Sequence, residues 1–509
     1  MTLLSRISIF FARFLGRRVN GPRFTVSGCG TPRCHGKACC GNGGGHLVSV
    51  AKPALGTLQT SGTHVAPSSS HSVETATSAA ASAFADWSHR PIAERARTIA
   101  SMADLLEDRR GDLYAVAEEE LGATRSWIDF NIDLAKGILK HVASLGPALE
   151  DKTVVHGTPE TRSIIRRQAA GVVLGLVPWN APITLGVRAV AGPLMCGNTV
   201  VMKGSDICPR THQLLVDILN GSGLPEGALS CVVGTQDDAH DIMVALIADP
   251  CVRRINFTGS TRVGRDVAIE AARHLKPALL ELSGKAPLIV LEDADLDAAV
   301  EAACFGAYFN QGQICMSTEW IIVVHSIADT FVSKLTSRVA QLAAETGPDR
   351  GRMISAKAVE RVRALVEDAV SKGARLLVGG ETAADQMQPT LLDGIASNMR
   401  VFREETFGPL ASVMRVQDAE EAISIANASD YGLNAAIFTA DLNRAQAMAE
   451  TLEYGVVQIN GPTVHDDPAM PFGGMKLSGH GRFGGESVIH EFTEQRWIAI
   501  HEVGSTPRL

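Results

Sequence analysis

The spacing of apolar residues changes along the chain and predicts where regular structure begins. Residues 21–73 show little periodicity, whereas residues 74–150 place Ala, Ile, Leu and Met at helical intervals, which predicts two or more helices. Beyond residue 169, short runs rich in Val and Ile alternate with stretches of helical length. Strands that alternate with crossover helices predict a parallel sheet, so the chain is expected to belong to the α/β class.

The alternation falls into two successive sets, and two short segments belong to neither. Residues 169–280 have the pattern of a doubly wound α/β unit, and residues 281–486 form a second α/β set that suggests a separate domain. The segments at 151–168 and 487–509 contain strands outside both sets. Because exposed strands usually pair with another strand, we predict that these two segments contribute to a subunit interface.

The first 73 residues contain eight Lys or Arg and no Asp or Glu. Arg6, Arg13 and Arg17 fall on one stripe of a helix in a segment that also contains Ser, a pattern typical of mitochondrial transit peptides. The alternative is that this N-terminal segment is disordered, or that the start of the protein is wrongly assigned. We therefore predict a leader over residues 1–73, a mitochondrial matrix location if that leader is genuine, and a cytoplasmic location otherwise.

The rest of the chain is acidic, because 39 of the 47 Lys and Arg residues stand against all 55 Asp and Glu residues, a net charge of −16. This balance leaves no basic surface for nucleic acid, and an anionic membrane would repel it. No uninterrupted apolar run reaches the roughly 18–20 residues that span a bilayer. The cysteine spacing C-x4-C-x4-C-C near the start lacks the C-x2-C pairs of zinc sites, so no metal site is predicted.

Three residues are candidates for catalysis, and each also has a purely structural interpretation. Cys315 follows a Gly-containing turn between a helix and a strand, which suits a nucleophile, although most intracellular cysteines only fill the core. Glu281 lies in an apolar strand, where burial would raise its pKa towards the range that suits a general base. Its carboxylate could instead be paired in a salt bridge. Asn180, in a turn fixed by Trp179 and two prolines, either donates its amide into a cleft or caps a helix.

These residues belong to a set of six motifs: VPWNAP (177–182), FTGSTRVG (257–264), LELSGK (280–285), GQICMST (312–318), EETFGPL (404–410) and PFGGMKLSGHGR (471–482). Their order and spacing resemble those of the aldehyde dehydrogenase superfamily, over roughly residues 74–503. The resemblance implies an α/β fold with three parts. They are a Rossmann-type dinucleotide-binding domain (74–150 and 169–280), an α/β catalytic domain (281–486) and a small β oligomerisation arm (151–168 and 487–509).

The resemblance implies a reaction. Cys315 would attack the aldehyde carbon to give a thiohemiacetal, whose oxyanion is held by the Asn180 amide and the Cys315 backbone N–H. Hydride transfer to a nicotinamide would give a thioester, which water activated by Glu281 hydrolyses to the carboxylic acid. The alternatives are a CoA-acylating semialdehyde dehydrogenase, which can dispense with the base, and a catalytically idle structural relative. The intact set of three residues argues against both.

The resemblance also implies a cofactor site. Asp206 stands where the family usually has Glu, and its carboxylate would accept a hydrogen bond from a ribose hydroxyl and repel a 2′-phosphate. NAD is therefore expected in preference to NADP. The implied cofactor-binding residues are Trp179, Lys203, Asp206, Gly259, Ser260, Gly264, Glu405 and Phe407, of which the glycines and Ser260 form a phosphate-facing turn at a helix start.

The expected substrate is aromatic. Asn180, Thr184 and Arg188 are four residues apart and share one helix face, and this stretch resembles the salicylaldehyde, vanillin and benzaldehyde dehydrogenase branch. Thr184, Arg188 and Phe472 are the candidate substrate residues. Arg188 is expected to meet a ring hydroxyl or to line the entrance, with a solvated salt bridge as the alternative.

The C-terminal segment is expected to serve assembly. Arg482 and Glu494 resemble a structural ion pair that joins the C-terminal strand to the catalytic domain. We expect the protein to form a homodimer or homotetramer. We expect it to bind a small-molecule aldehyde and to bind neither nucleic acid nor a membrane.

Overall fold

The computed structural model describes residues 70–155, 161–345 and 351–501. The first helix begins at Ser70, slightly earlier than the sequence pattern predicts, and the remainder of the predicted leader lies outside the described residues. Within these ranges, no helix is both long enough and apolar enough to cross a membrane.

Four helices open the described part of the chain. Gly122, in the left-handed conformation at φ +60°, ends the third helix, and the Thr124 side chain accepts a hydrogen bond from Trp127 N (3.2 Å) and caps the fourth. Two strands follow. In chain order these elements are α1 (Ser70–His89), α2 (Ile92–Asp108), α3 (Arg110–Leu121), α4 (Arg125–Ser144), a 3-10 turn (Gly146–Leu149), β1 (Lys152–Val155) and β2 (Thr161–Ala169).

Strands and helices then alternate strictly, as the apolar pattern predicts. In chain order they are β3 (Val172–Leu176), α5 (Pro182–Met195), β4 (Thr199–Lys203), α6 (Pro209–Asn220), β5 (Leu229–Val232), α7 (Ala239–Ala248), β6 (Val252–Thr258), α8 (Thr261–Arg273) and β7 (Ala278–Glu281).

The second α/β set begins at residue 286. Its elements in chain order are β8 (Ala286–Val290), α9 (Leu296–Tyr308), a 3-10 turn (Phe309–Gly312), β9 (Thr318–Val324), α10 (His325–Ala344), α11 (Ala356–Ser371), β10 (Arg375–Val378), β11 (Thr382–Ala383), β12 (Gln386–Met387), β13 (Thr390–Asp393), α12 (Arg400–Arg403), β14 (Leu410–Val416), α13 (Ala419–Asn427), β15 (Tyr431–Gly432), β16 (Asn434–Phe438), α14 (Leu442–Thr451) and β17 (Val456–Ile459). The chain closes with β18 (Met475–Lys476), β19 (Gly479–His480), α15 (Ser487–Phe492) and β20 (Thr493–His501).

The described strands form two large sheets. The first has the order β19-β7-β6-β3-β4-β5, in which all neighbours are parallel except β19, which pairs antiparallel with β7. The second has the order β10-β13-β14-β9-β8-β16-β17, parallel except for the edge strand β10. Central strands such as β3 and β9 are buried along their whole length, because helices cover both faces of each sheet. The predicted α/β class is confirmed.

The two segments that the sequence leaves outside the sheets pair with each other. β20 runs antiparallel to β2 from Thr161 opposite His501 to Ala169 opposite Thr493, and β1 adds a third strand. This arm carries Trp497, whose exposed fraction is 73%. The arm's part in a subunit interface, and the domain boundaries assigned above, stay predictions.

Candidate active site

Cys315 lies between the 3-10 turn after α9 and the start of β9. Asn310, Gln311 and Gly312 are all in the left-handed conformation, with φ of +49°, +57° and +65°. A Cβ at Gly312 would stand 2.2 Å from the Gly408 carbonyl oxygen, so only glycine fits there. The tight turn therefore fixes the direction in which the cysteine enters the site.

Glu281, the last residue of β7, lies beside the thiol. Cys315 Sγ donates a hydrogen bond to Glu281 Oε1 at 3.3 Å, and only 1% of Glu281 is exposed. Burial raises the pKa of Glu281, opposed chiefly by the charge of Arg188. Burial and the neighbouring carboxylate also raise the pKa of Cys315 well above the ordinary thiol value. The thiol and the carboxyl group are therefore buried side by side, with Glu281 Oε1 within reach of the thiol proton.

Asn180 contacts the loop that carries the cysteine. Its side-chain Nδ2 donates to Gln313 O at 3.2 Å, and its main-chain carbonyl oxygen accepts from Trp127 Nε1 at 2.9 Å. Helix α5 begins at Pro182 with Ala181 at the N-cap, so the helix-capping interpretation of Asn180 is wrong. The amide is buried and faces the turn that precedes Cys315.

Sequence reasoning missed a cluster of aromatic rings next to Asn180. Trp127 stacks on Phe130 with ring centroids 5.5 Å apart, and both meet Phe309 edge-on at 5.2 Å and 5.7 Å. Phe305 stacks on Phe309 at 4.9 Å. The rings come from α4, α9 and the turn before Cys315, so only the tertiary fold brings them together. The helical spacing of these aromatic residues is the only local signal in the sequence for the cluster.

The candidate residues for the adenosine end of a cofactor lie at the carboxyl edge of the first sheet. Lys203 ends β4, and burial lowers the pKa of its ammonium group while the Asp206 carboxylate opposes that shift. Gly259 and Ser260 connect β6 to α8, and Ser260 Oγ caps the helix by accepting from Val263 N at 3.4 Å. The start of a helix favours an anion, because the positive end of the helix dipole lies there.

The candidate residues for the nicotinamide end lie on the loop at 404–408. Glu405 Oε1 accepts from Gly284 N at 3.2 Å, and burial, together with the charge of Glu319, raises the pKa of Glu405 to about 7. Phe407, at φ +44°, meets Trp179 edge-on with ring centroids 5.9 Å apart. The loop and the Trp179 turn are therefore in direct contact.

The three candidate substrate residues are all buried. Arg188 pairs with Asp466, and its guanidinium lies 4.7 Å from the centre of the Phe472 ring. Because both charged side chains are buried, the alternative of a solvated salt bridge is wrong. Thr184 Oγ1 donates its proton to Asn131 O at 2.9 Å, so its hydroxyl is available to a substrate only as an acceptor.

The predicted pair between Arg482 and Glu494 is wrong. Glu494 lies opposite Gln168 of β2, and its Oε1 binds Nη2 of Arg254, on β6, at 2.9 Å. The Arg482 guanidinium instead donates to the carbonyl oxygens of Gly474 (2.9 Å) and Gly481 (2.8 Å). The C-terminal strand is thus joined to the first sheet.

The family follows from comparison with known proteins. The model of the aldehyde dehydrogenase family matches residues 42–498. The chain therefore belongs to the aldehyde dehydrogenase family. The match starts within the segment that the sequence assigns to a leader, in a part of the chain outside the described residues.

Two relatives show where in the family the similarity is high. The chain is 49% identical over 440 residues to the vanillin dehydrogenase of Pseudomonas sp. (strain HR199 / DSM 7063), which covers 86% of this chain and 91% of that protein. The crystal structure of a salicylaldehyde dehydrogenase from Pseudomonas putida G7 complexed with salicylaldehyde is 42% identical, has a TM-score of 0.85, and covers 87% of this chain and 93% of that one. Both organisms are bacteria, which have no mitochondria, so these comparisons do not support the predicted mitochondrial location.

Structures of similar proteins are described with either cofactor. An NAD-dependent aldehyde dehydrogenase from Sinorhizobium meliloti is 32% identical with a TM-score of 0.83, covering 87% of this chain and 89% of that one. An NADP-dependent glyceraldehyde-3-phosphate dehydrogenase from Bacillus halodurans C-125 complexed with NADP is 34% identical with a TM-score of 0.81, covering 85% and 92%. The family thus uses NAD or NADP.

Proposed function

We propose that this protein oxidises an aromatic aldehyde to the carboxylic acid, with Cys315 as nucleophile, Glu281 as general base and Asn180 as oxyanion donor. The observation that carries the proposal is the 3.3 Å contact between Cys315 Sγ and Glu281 Oε1 at a buried position. A thiol next to a carboxylate of raised pKa suits an enzyme that both adds to a carbonyl and hydrolyses a thioester.

In the first step Glu281 takes the proton of Cys315, and the thiolate attacks the carbonyl carbon. A C–S bond forms, and the electron pair of the carbonyl π bond moves to oxygen, which gives a thiohemiacetal oxyanion. The backbone N–H of Cys315 and Asn180 Nδ2 are the donors for this oxygen. Because an amide nitrogen carries two N–H groups, Asn180 can keep its bond to Gln313 O and offer the other.

The thiohemiacetal carbon must then lose a hydride, and a nicotinamide dinucleotide supplies the acceptor when bound. The residues present fit such a group. The ammonium of Lys203 and the amides at the start of α8 suit its phosphates and adenosine end, and Glu405 and Phe407 suit its nicotinamide ribose. We infer a preference for NAD, because the Asp206 carboxylate would bind a ribose hydroxyl but repel a 2′-phosphate.

Hydrolysis of the thioester on Cys315 completes the cycle. A water molecule gives a proton to Glu281 and its oxygen bonds to the acyl carbon, the C–S bond breaks, and the sulfur leaves as a thiolate that regains a proton. Aldehyde, water and oxidised cofactor thus give acid, reduced cofactor and one proton. Glu281 has to be deprotonated at both steps.

Two observations support an aromatic substrate. The rings of Trp127, Phe130 and Phe309 form an apolar cluster against Asn180, and aromatic rings stack favourably on one another. The similar proteins described above are named for vanillin and salicylaldehyde, both hydroxylated benzaldehydes. We propose that Arg188, Thr184 and Phe472 lie on the substrate side of this cluster, with Arg188 near the ring hydroxyl.

A substrate panel tests the proposal. Vanillin, salicylaldehyde, benzaldehyde and succinic semialdehyde are each supplied with NAD or NADP, and the reduced cofactor is followed by absorbance. We expect kcat/KM for the aromatic aldehydes to exceed that for succinic semialdehyde by about 100-fold, as for a pocket that fits one side-chain class. Cys315→Ser should abolish the reaction, and undiminished oxidation by that variant would refute the mechanism.

The arm formed by β1, β2 and β20 is the proposed subunit contact. It exposes Trp497 and Ile500 on a strand that has antiparallel pairing on one edge, and large exposed apolar residues mark interaction surfaces. Trp497→Ser should lower the oligomeric state measured by light scattering. An unchanged mass at dilute concentration would exclude Trp497 from the interface.

A further inference from the structure

The mechanism proposed above makes no use of a buried ion pair between Lys285 and Glu319. Their side chains are 1% and 5% exposed, and Lys285 Nζ lies 2.6 Å from Glu319 Oε2. Lys285 also lies 5.7 Å from the centre of the Trp320 ring. Isolated buried ion pairs contribute little net stability, so their position calls for another explanation.

The pair binds the backbone of the loop at 404–408. Glu319 accepts from Thr406 N with both carboxylate oxygens, at 2.9 Å and 2.8 Å, and from Phe407 N at 3.1 Å. Lys285 Nζ donates to Glu404 O at 2.7 Å. Three residues of this loop, Glu404, Thr406 and Phe407, are thus fixed by two charged side chains, through charge-assisted hydrogen bonds that are stronger than neutral ones.

The pair also joins this loop to both candidate catalytic segments. Lys285 follows Glu281 by four residues, and Glu319 follows Cys315 by four residues. Between Glu281 and Lys285, Gly284 donates its N–H to Glu405, and a Cβ on Gly284 would stand 2.2 Å from the Cys315 carbonyl oxygen. The base segment, the nucleophile segment and the loop are therefore packed around one buried charge pair.

We infer that Lys285 and Glu319 are positioning residues that hold Glu405 and Phe407 in place for the nicotinamide ribose. This inference rests on the proposed function for the role of the loop. Glu319 binds the amides of Thr406 and Phe407, and Lys285 binds both Glu319 and the Glu404 carbonyl oxygen, so the two side chains hold the loop on either side of Glu405. The pair touches no reacting atom itself.

The test compares Glu319→Gln with the control Asp393→Asn. Asp393 is also a fully buried carboxylate of the same sheet, and it pairs with Arg375 and Arg415, neither of which belongs to the loop. Three measurements are made on each intact protein. They are hydrogen–deuterium exchange of peptides spanning 404–408, the Kd for NADH by fluorescence titration, and the rate of Cys315 alkylation by iodoacetamide.

We expect Glu319→Gln to speed exchange in the 404–408 peptides and to weaken NADH binding, each by about tenfold, the effect of one lost charge-assisted hydrogen bond. Alkylation of Cys315 should stay within about twofold of the wild type, because the nucleophile itself is untouched. Asp393→Asn should leave exchange in these peptides and the Kd unchanged. Equal effects of both variants on the loop would show a merely structural role and overturn the inference.

A second variant covers the case in which Glu319→Gln does not fold. Lys285→Met combined with Glu319→Gln removes both buried charges together, and it should show the same rapid exchange of the loop. Because exchange needs no ligand or turnover, a wild-type protein that fails to oxidise aldehydes would refute the proposed function alone. A loop that stays protected in the double variant would refute the inference alone.

Discussion

Arg188 and Asp466 form an ion pair whose side chains are only 7% and 4% exposed, although 277 residues separate them in the chain. The charge of Arg188 is the largest effect opposing the burial that raises the pKa of Glu281, and it also opposes part of the rise in the pKa of Cys315. Arg188 therefore places a positive charge near Glu281 and Cys315, and Asp466 partly offsets it at Glu281. Its guanidinium is held in place by Asp466 and by the Phe472 ring.

Loss of Asp466 should destabilise the protein strongly. Asp466→Asn leaves a buried guanidinium without its counter-charge, which typically costs about 3–5 kcal/mol. Urea unfolding would measure the change in free energy. Glu301→Gln is the control, since Glu301 pairs with Arg338 at 2.8 Å on the surface and its loss should cost less than about 1 kcal/mol. Similar losses for the two variants would mean that the Arg188 charge is not effectively buried.

Turnover should depend on pH through Glu281. Because burial raises the pKa of this carboxyl and the base acts only when deprotonated, kcat should fall as the pH drops through that raised value. Removal of the nearby positive charge in Arg188→Gln raises the pKa further, so the acid limb should move to higher pH. Steady-state pH profiles of both proteins measure this. An acid limb that shifts to lower pH would contradict the conclusion that the charge of Arg188 lowers the pKa of Glu281.

Glu281→Gln should separate the two halves of the reaction. Thiolate attack and oxidation can proceed once, because solvent can remove the thiol proton, but the thioester lacks its base for hydrolysis. Stopped-flow absorbance should show a burst of about one NADH per site, followed by turnover about 100-fold slower than wild type. If the burst disappears with the turnover, solvent cannot replace Glu281 as the base that removes the Cys315 proton.

The turn before Cys315 should not tolerate a side chain. Gly312→Ala combines the strain of a side chain at φ +65° with a Cβ 2.2 Å from Gly408 O, so the turn and the loop at 404–408 must move apart. Gly394→Ala is a matched control, at φ +77° with no atom within 4 Å of the added Cβ. We expect a loss of about 1 kcal/mol for the control and a larger loss, with a slower NADH burst, for Gly312→Ala. Equal losses would show that the turn is free to move.

Cofactor choice should respond to position 206. Asp206→Ser removes the carboxylate proposed to repel a 2′-phosphate, so the ratio of kcat/KM for NADP to that for NAD should rise by about tenfold or more. Initial rates with one aromatic aldehyde and each cofactor give the ratio. The same ratio in both proteins would assign the preference to another residue.

The sequence predicts the two α/β sets because parallel strands and crossover helices leave a local record in apolar spacing. It also predicts the approach of Cys315 and Glu281, because the resemblance carries their positions. The pairing of Arg188 with Asp466 leaves no such record, since each residue belongs to a different local pattern. The same limit applies to Glu494, because its partner Arg254 lies 240 residues away in the chain and no local pattern links the two.

The aromatic cluster at Trp127 and the Lys285–Glu319 pair were missed for a related reason. Glu319 looks in sequence like a polar residue at the start of an apolar strand, and Lys285 like the end of a glycine turn. The backbone partners of Lys285 and Glu319 lie in the loop at 404–408, which is distant from both residues in the chain. Local patterns report neighbours along a helix or strand, and these partners come from elsewhere in the chain.

The pairing of Gly479 with Glu281 has a consequence for any attempt to split the protein. Strand β19 (Gly479–His480) lies near the C-terminus in the sequence, yet it forms one edge of the first sheet. A fragment that stops after β7 would leave that edge open and would lack the strand that flanks the base. We therefore expect the first sheet, produced without the C-terminal part of the chain, to associate through that edge.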